Sequence, residues 1–286
     1  EPEGLLVTSG TSGGIVLALL ATVDPGDEVI IPDPYFVIYK HAVTLCGGKV
    51  VFLDTYPDFR LRREALAPLL TDRTKVLILN SPANPSGVVY RREELAMVAD
   101  LLEGRDVVVL ADEIYDAYVY DAEFVSMASI YPRTLLLGGF SKTYAMTGWR
   151  LGYAAGPGEL IRQMTKLQQY TFVCAPSFSQ KAGLAALETD PSGLAATYRA
   201  KRDLIYDGLV EAGYEVVRPE GAFYVFPKVP WGTDVEFVEA AVRQGLLVIP
   251  GSVFSERNTH FCIAYPAPDE TIERGLAVLR RLARKP

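Results

Sequence analysis

Through the first two thirds of the chain, short aliphatic runs alternate with longer stretches whose apolar residues recur at helical spacing. The runs at residues 5–8, 29–31, 49–53, 75–79, 107–111, 134–137 and 151–154 are brief and flanked by Gly, Pro, Asp or Lys, which predicts strands. Between them lie amphipathic segments such as 92–103, where Leu95, Val98 and Leu102 share one helical face. Strands that are apolar throughout, separated by helices, imply βαβ units and a mainly parallel sheet sandwiched by helices. The predicted fold class is therefore α/β.

After about residue 190 the pattern changes. A long helix over 191–211 precedes strand-like runs at 214–217 and 222–226, a helix at 234–243, a strand at 260–265 and a terminal helix at 269–284. This predicts a large first domain over 1–190 and a smaller C-terminal α+β domain over 191–286, with the long helix joining them.

Composition narrows the class of protein. Of 286 residues, 49% are hydrophobic and 22% charged, which suits a globular chain and excludes a disordered one. Against 28 Lys and Arg stand 35 Asp and Glu, a net charge of −7 that argues against nucleic acid or an anionic membrane as partner. The most apolar stretch, 15–23, falls short of the roughly 20 residues a membrane span needs. Three scattered cysteines, Cys46, Cys174 and Cys262, fit neither a disulfide framework nor metal-ligand spacing, so no metal is expected and a reducing cytoplasm is. The chain opens on Glu1-Pro2-Glu3-Gly4, without Met, and is expected to begin part-way into a longer protein.

In open α/β sheets ligands sit beyond the carboxyl ends of the strands, so the polar residues that follow the apolar runs carry the candidate chemistry. Ser9-Gly10-Thr11-Ser12-Gly13-Gly14 leads from a strand into the helix at 15–21. Its glycines and free helix-terminal N–H groups suit a phosphate, although an ordinary tight turn has the same look. Asn84-Pro85-Ser86-Gly87 reads from composition as a polar turn. Asp112-Glu113-Ile114-Tyr115 puts carboxylates at the mouth of a buried strand, where a cation must pair with them or a helix N-cap use them.

The segment from Gly139 to Gly152 is the most informative. Lys142 stands among small and apolar residues, where burial lowers a lysine pKa from about 10.4 towards the range of a nucleophile and base. Arg150 supplies a forked guanidinium able to clamp a dianion.

This segment, Gly-Phe-Ser-Lys-Thr-Tyr-Ala-Met-Thr-Gly-Trp-Arg-Leu-Gly, resembles the lysine-attachment signature of class I/II pyridoxal-phosphate (PLP) aminotransferases of the aspartate aminotransferase fold. Asn84-Pro85-Ser86-Gly87, Asp112-Glu113-Ile114-Tyr115, Gly221-Ala222-Phe223-Tyr224 and Val248-Ile249-Pro250-Gly251 resemble that family in the same order, over essentially the whole chain. The resemblance implies a Schiff base between Lys142 and PLP, with Lys142 then acting as general base and acid. It implies that Asp112, rather than Glu113, pairs with the protonated pyridine nitrogen. Asn84 and Tyr115 would hydrogen-bond the ring's phenolate oxygen. Phe36, with Tyr35 as the alternative, would stack on the ring face. Gly10, Thr11, Ser12 and Arg150 would hold the phosphate, with Ser141 a further candidate beside Gly139, where many relatives carry serine.

The implied function is transfer of an amino group between an amino acid and a 2-oxo acid, in a cytoplasmic homodimer. A PLP-dependent lyase or decarboxylase, or a non-catalytic PLP-binding effector domain, could use the same ring contacts. Two departures bear on the choice. Cys262, in Cys262-Ile263-Ala264-Tyr265, stands where the family carries a carboxylate-binding arginine, leaving Arg257 as a substitute or an exposed loop residue. The family's N-terminal segment, which closes over the substrate and lends a tyrosine to the partner's phosphate site, has no counterpart in the sequence. His41 and His260 read as packing or surface residues, and Arg199, Lys201 and Arg202 as a solvated helix face.

Overall fold

The computed structural model describes residues 2–284; Glu1 and the last two residues of the predicted C-terminal domain lie outside it. The strands are β1 (Leu5–Thr8), β2 (Glu28–Asp33), β3 (Lys49–Asp54), β4 (Thr74–Asn80), β5 (Val108–Asp112), β6 (Thr134–Gly139), β7 (Gly152–Ala155), β8 (Tyr224–Val225), β9 (Ile249–Pro250) and β10 (Phe261–Ala264). The α-helices are α1 (Gly10–Thr22), α2 (Ile38–Leu45), α3 (Arg63–Leu66), α4 (Arg92–Leu102), α5 (Gly158–Thr171), α6 (Ser177–Leu187), α7 (Gly193–Glu211), α8 (Asp234–Arg243) and α9 (Asp269–Leu282).

Seven strands form one sheet in the order β1-β7-β6-β5-β4-β2-β3. The five from β6 to β3 run parallel, whereas β7 runs antiparallel to both β6 and β1. The strand period of two divides each strand between two cores. Val29 and Ile31, Val76 and Ile78, and Leu110 face α1, α2 and α5, while Ile30, Leu77, Leu79, Val109 and Ala111 face Leu95, Val98 and Leu102 of α4. Helix α1 is apolar almost all round and buries Ile15, Leu17, Ala18 and Leu19, because it is enclosed by the sheet, α2 and α5.

The strand-like run at 222–226 contracts to β8, which pairs with β10, and β10 pairs in turn with β9. The expected strand at 214–217 does not form. Tyr214 points inward, donating to the Leu279 carbonyl at 2.9 Å, and the run meets its neighbour through one backbone bond, from Lys228 N–H to the Glu215 carbonyl at 2.9 Å, beside an ion pair between the same two side chains. Helix α8 starts on a reciprocal cap between Thr233 and Glu236, which fixes the boundary that the sequence suggests. A third apolar cluster joins α7, α8, α9 and β10 to Ile114, Tyr115 and Tyr118 at the exit of β5. The C-terminal elements thus bear directly on the residues that leave the large sheet.

Arg202 overturns one expectation. Far from solvated, it is 1% exposed, with its guanidinium bonded to Asp203 at 2.7 Å, Asp121 at 2.6 Å and the Pro219 carbonyl, and lying over Tyr120. These partners share no local pattern with α7, so helical periodicity could not reveal them. Lys201 is also tied down, to the Ala267 carbonyl and Asp269.

Candidate active site

The parallel strands deliver their carboxyl ends to one side of the sheet. Asn80 of β4 lies opposite Asp112 of β5 in the register, and Gly139 of β6 leads directly to Ser141 and Lys142. These exits, the start of α1 and the turn before α2 enclose a cavity of about 250 Å³. Lys142, Asp112, Asn84, Tyr115, Phe36, Ser141, Thr11, Ser12 and Arg150 all line it. Gly10 lies directly beneath the Arg150 side chain: a Cβ there would come within 2.6 Å of Nη2.

Asp112 is buried at the end of β5. Its Oδ2 accepts from the Tyr39 hydroxyl at 2.8 Å and its Oδ1 from Ile114 N–H at 3.3 Å. Burial pushes its pKa up to about 6, opposed by those two donors and by the charge of Lys142. Burial lowers the Lys142 ammonium from its ordinary value, helped by the positive Arg150 and opposed by Asp112. Lys142 Nζ lies 5.6 Å from the ring centres of both Tyr115 and Phe223, and its carbonyl accepts from Tyr118 at 2.8 Å. The amine is therefore walled by aromatic rings, with its backbone pinned.

Glu113, next to Asp112, faces the other way, as strand alternation requires. It accepts from Ser126 Oγ and Met127 N–H at 2.9 and 3.0 Å, and burial raises its pKa to about 7. Tyr35 is likewise turned away, with its hydroxyl on Glu256 and its ring on Phe52, so of these two neighbours Phe36 is the one at the cavity.

The anionic end of a ligand has a prepared position. No side chain caps the start of α1, and its Thr11 and Ser12 line the cavity, so the first N–H groups of the helix and its positive dipole end suit an anion there. Gly10 adopts a left-handed φ of +69°. On β7, a Cβ at Gly152 would lie 2.7 Å from the Gly10 carbonyl carbon and 2.9 Å from Thr11 N, so only glycine lets that strand support the turn. Arg150, itself at φ +51°, is held by a 2.8 Å bond from Nη1 to the Thr147 carbonyl.

Sequence reasoning missed several lining residues: Tyr39, Asn80, Ile114, Thr147 and Tyr224. Asn80 Nδ2 donates to the Asp112 carbonyl at 2.9 Å and its Oδ1 accepts from Asn84 N–H at 2.7 Å, so it fixes the loop carrying Asn84. The spacing of Phe36 and Tyr39, one helical turn apart, was a usable signal for Tyr39.

Cys262, His41 and His260 do not line the cavity. Cys262 is buried beside Phe226 and Phe254, and desolvation pushes its thiol far up, so it has no thiolate chemistry to offer. Arg257 bonds Asp54 at 2.6 Å and lies 4.1 Å over the Tyr56 ring, engaged at the surface rather than in the cavity. His260 stacks on Phe226, and burial lowers its pKa to about 4.

A half-buried amine, a buried carboxylate and an anion cradle on the carboxyl edge of a mixed seven-stranded sheet define a known class of enzyme. Residues 1–279 match the family described as aminotransferase class I and II, and the chain belongs to that family. Its overall reaction is the transfer of an amino group, with pyridoxal phosphate as cofactor. Among its relatives, the aspartate aminotransferase of Pyrococcus abyssi is 38% identical over 96% of this chain and 76% of its own length. The structure of Thermus thermophilus aspartate aminotransferase with maleate superposes with a TM-score of 0.95 at 35% identity, covering 99% of this chain and 76% of that one. The aromatic aminotransferase from Pyrococcus horikoshii gives 0.94 at 37% identity, covering 98% and 80%. These likenesses bear out the α/β fold with its mainly parallel sheet.

The residues present fit the cofactor. Asn84 Oδ1 is buried with no hydrogen-bond partner, a polar group awaiting a ligand. The cradle at Gly10 and Arg150 suits a phosphate, and the donor set around Asp112 suits a carboxylate that must stay charged beside a cation. Among the described residues no helix is long and apolar enough to cross a membrane.

Proposed function

We infer that Lys142 holds pyridoxal phosphate covalently through Nζ and moves the proton during amino transfer, with Asp112 balancing the charge on the ring nitrogen. The supporting observation is that the exits of β5 and β6 bring a buried carboxylate and a depressed lysine to one cavity that also holds the free start of α1. When bound, the cofactor supplies an aldehyde carbon that condenses with amines and a ring that withdraws electrons from the bond being broken. Lys142, whose ammonium is destabilised by burial, accepts and returns a proton. Asn84 and Tyr115 would hydrogen-bond the ring's phenolate oxygen and Phe36 would cover the ring. Gly10, Thr11, Ser12, Ser141 and Arg150 hold the phosphate.

The substrates are an amino acid and a 2-oxo acid. Of the described lining residues only Lys142 and Arg150 are cationic, and Cys262 offers no charge, so the substrate carboxylate is anchored by groups other than a guanidinium on β10. The same reading takes 1–190 as the cofactor-bearing lobe and 191–286 as a smaller second lobe, in a cytoplasmic homodimer.

The test is to load the protein with PLP and record its absorption spectrum against a panel of amino acids. Conversion to the pyridoxamine form, with release of a 2-oxo acid, is expected. A spectrum that no amino acid alters would overturn the reading and favour an effector domain. Release of carbon dioxide or an eliminated group, with the pyridoxal form retained, would favour a decarboxylase or lyase. If Lys142→Ala still forms a covalent adduct with PLP that borohydride can trap, the site assignment is wrong.

A further inference from the structure

Tyr224 is the one described lining residue contributed by the C-terminal three-stranded sheet. Its hydroxyl lies 2.9 Å from that of Tyr115, and their rings meet edge to face with centroids 5.7 Å apart. Strand β8 sets this placement: Tyr224 pairs with Ala264 of β10, and the preceding Ala222 carbonyl accepts from the hydroxyls of Tyr120 and Tyr265. Tyr224 is therefore held from behind, with its polar tip on Tyr115.

A phenol has one proton to donate. If Tyr115 spends its proton on the cofactor's phenolate oxygen, then in its contact with Tyr224 its own oxygen can only accept. We propose that Tyr224 is a positioning residue that donates to Tyr115, orients the Tyr115 proton towards the cofactor and strengthens it as a donor, so lowering the proton affinity of the Lys142 nitrogen bonded to the cofactor. This rests on the reading of Tyr115 as a partner of the phenolate oxygen. Hydrogen bonds in a chain polarise one another, by about 10–30% per bond. Applied to a charge-assisted bond of about 1.5–3 kcal/mol, that predicts a shift of roughly 0.1–0.7 pH units. Asp112, Tyr39, Tyr118 and Lys142 face Tyr115, and Cys262 faces Tyr224, so the comparison is made between variants that keep all five.

The measurement is the pH titration of the visible absorption of the PLP-loaded protein, without substrate. Tyr224→Phe is expected to raise the apparent pKa by that amount, Tyr224→Leu to raise it equally, and Tyr224→Phe to add nothing once Tyr115 is already Phe. If Tyr115→Phe shifts the titration and Tyr224→Phe does not, or if only Tyr224→Leu does, Tyr224 serves packing alone and the proposal falls while the Tyr115 assignment stands. The same shift from Tyr224→Phe in both backgrounds also overturns the relay. If Tyr115→Phe itself leaves the titration unmoved, the Tyr115 assignment falls and takes the relay with it.

Discussion

Replacing Tyr39 with Phe deletes one oxygen, at a point where the charge of Asp112 depends on it. The hydroxyl is 2.8 Å from Asp112 Oδ2, with both residues buried, and its loss leaves the carboxylate with Ile114 N–H at 3.3 Å. Tyr39 itself stays protonated, since burial and the neighbouring carboxylate raise its pKa well above the ordinary value, so it is the donor. A hydrogen bond to a charged group contributes about 1.5–3 kcal/mol. That corresponds to an upward shift of roughly one to two pH units, from the Asp112 value of about 6. Near neutral pH half or more of the Tyr39→Phe carboxylate is then protonated in the cofactor-free protein. Because the ring nitrogen needs the ionised form, PLP affinity falls by roughly 2- to 10-fold at pH 7 and by roughly 10- to 100-fold near pH 5, below the pKa of both proteins. The sign follows from the raised pKa: affinity climbs as pH rises through the Asp112 titration, and in Tyr39→Phe that climb moves to higher pH. The assay is a fluorescence titration of cofactor-free protein with PLP at a series of pH values, with thermal unfolding as a control on the fold. An affinity within twofold of the parent, and a pH midpoint that does not move, would refute the coupling between Tyr39 and Asp112.

Gly10→Ala forces an L side chain into a left-handed φ of +69° and a Cβ to within 2.6 Å of Arg150, so it should weaken competition by inorganic phosphate for the PLP site by at least tenfold. Arg150→Lys should reproduce much of that loss. Cys174 is exposed and Cys262 buried, so iodoacetamide should label Cys174 in the folded protein and Cys262 only in denaturant, as read by peptide mass spectrometry. Glu28 is held down to about 2 from 4.5, first by the Thr71 hydroxyl and then by Lys49, with Arg73 assisting. A depressed carboxylate stabilises the fold above its unfolded pKa, so the loss in melting temperature caused by Glu28→Gln should be full near neutral pH and shrink as pH falls from about 4.5 to about 2.

The large sheet was legible because parallel strands buried on both faces must be apolar throughout, as residues 29–31 and 107–111 are. The candidate site was legible for a related reason: the polar residues that break those runs at Asp112, Asn84 and Lys142 are the ones a strand exit delivers to the cavity. What stayed hidden depends on contacts between distant segments. Tyr39 looks like any core aromatic until β5 brings Asp112 to it. Tyr224 belonged to a visible motif, but its partner Tyr115 lies far back along the chain. Arg202 reads as a surface cation because its acceptors at 121 and 219 are remote. The run at 214–217 reads as a strand because inward packing of Tyr214 gives the same alternation as a sheet residue.

The support of Gly152 beneath Gly10 and Thr11 has a bearing on how the molecule matures. The anion cradle unites the first strand of the large sheet with its last, β1 with β7, so it has no local precursor that a nascent chain could form early. Residues 10–12 can grip a phosphate only after the intervening strands have been inserted and the sheet has closed around them. Occupancy of that cradle therefore reports completed folding, and a ligand retained there stabilises the finished sheet selectively over every partly assembled form.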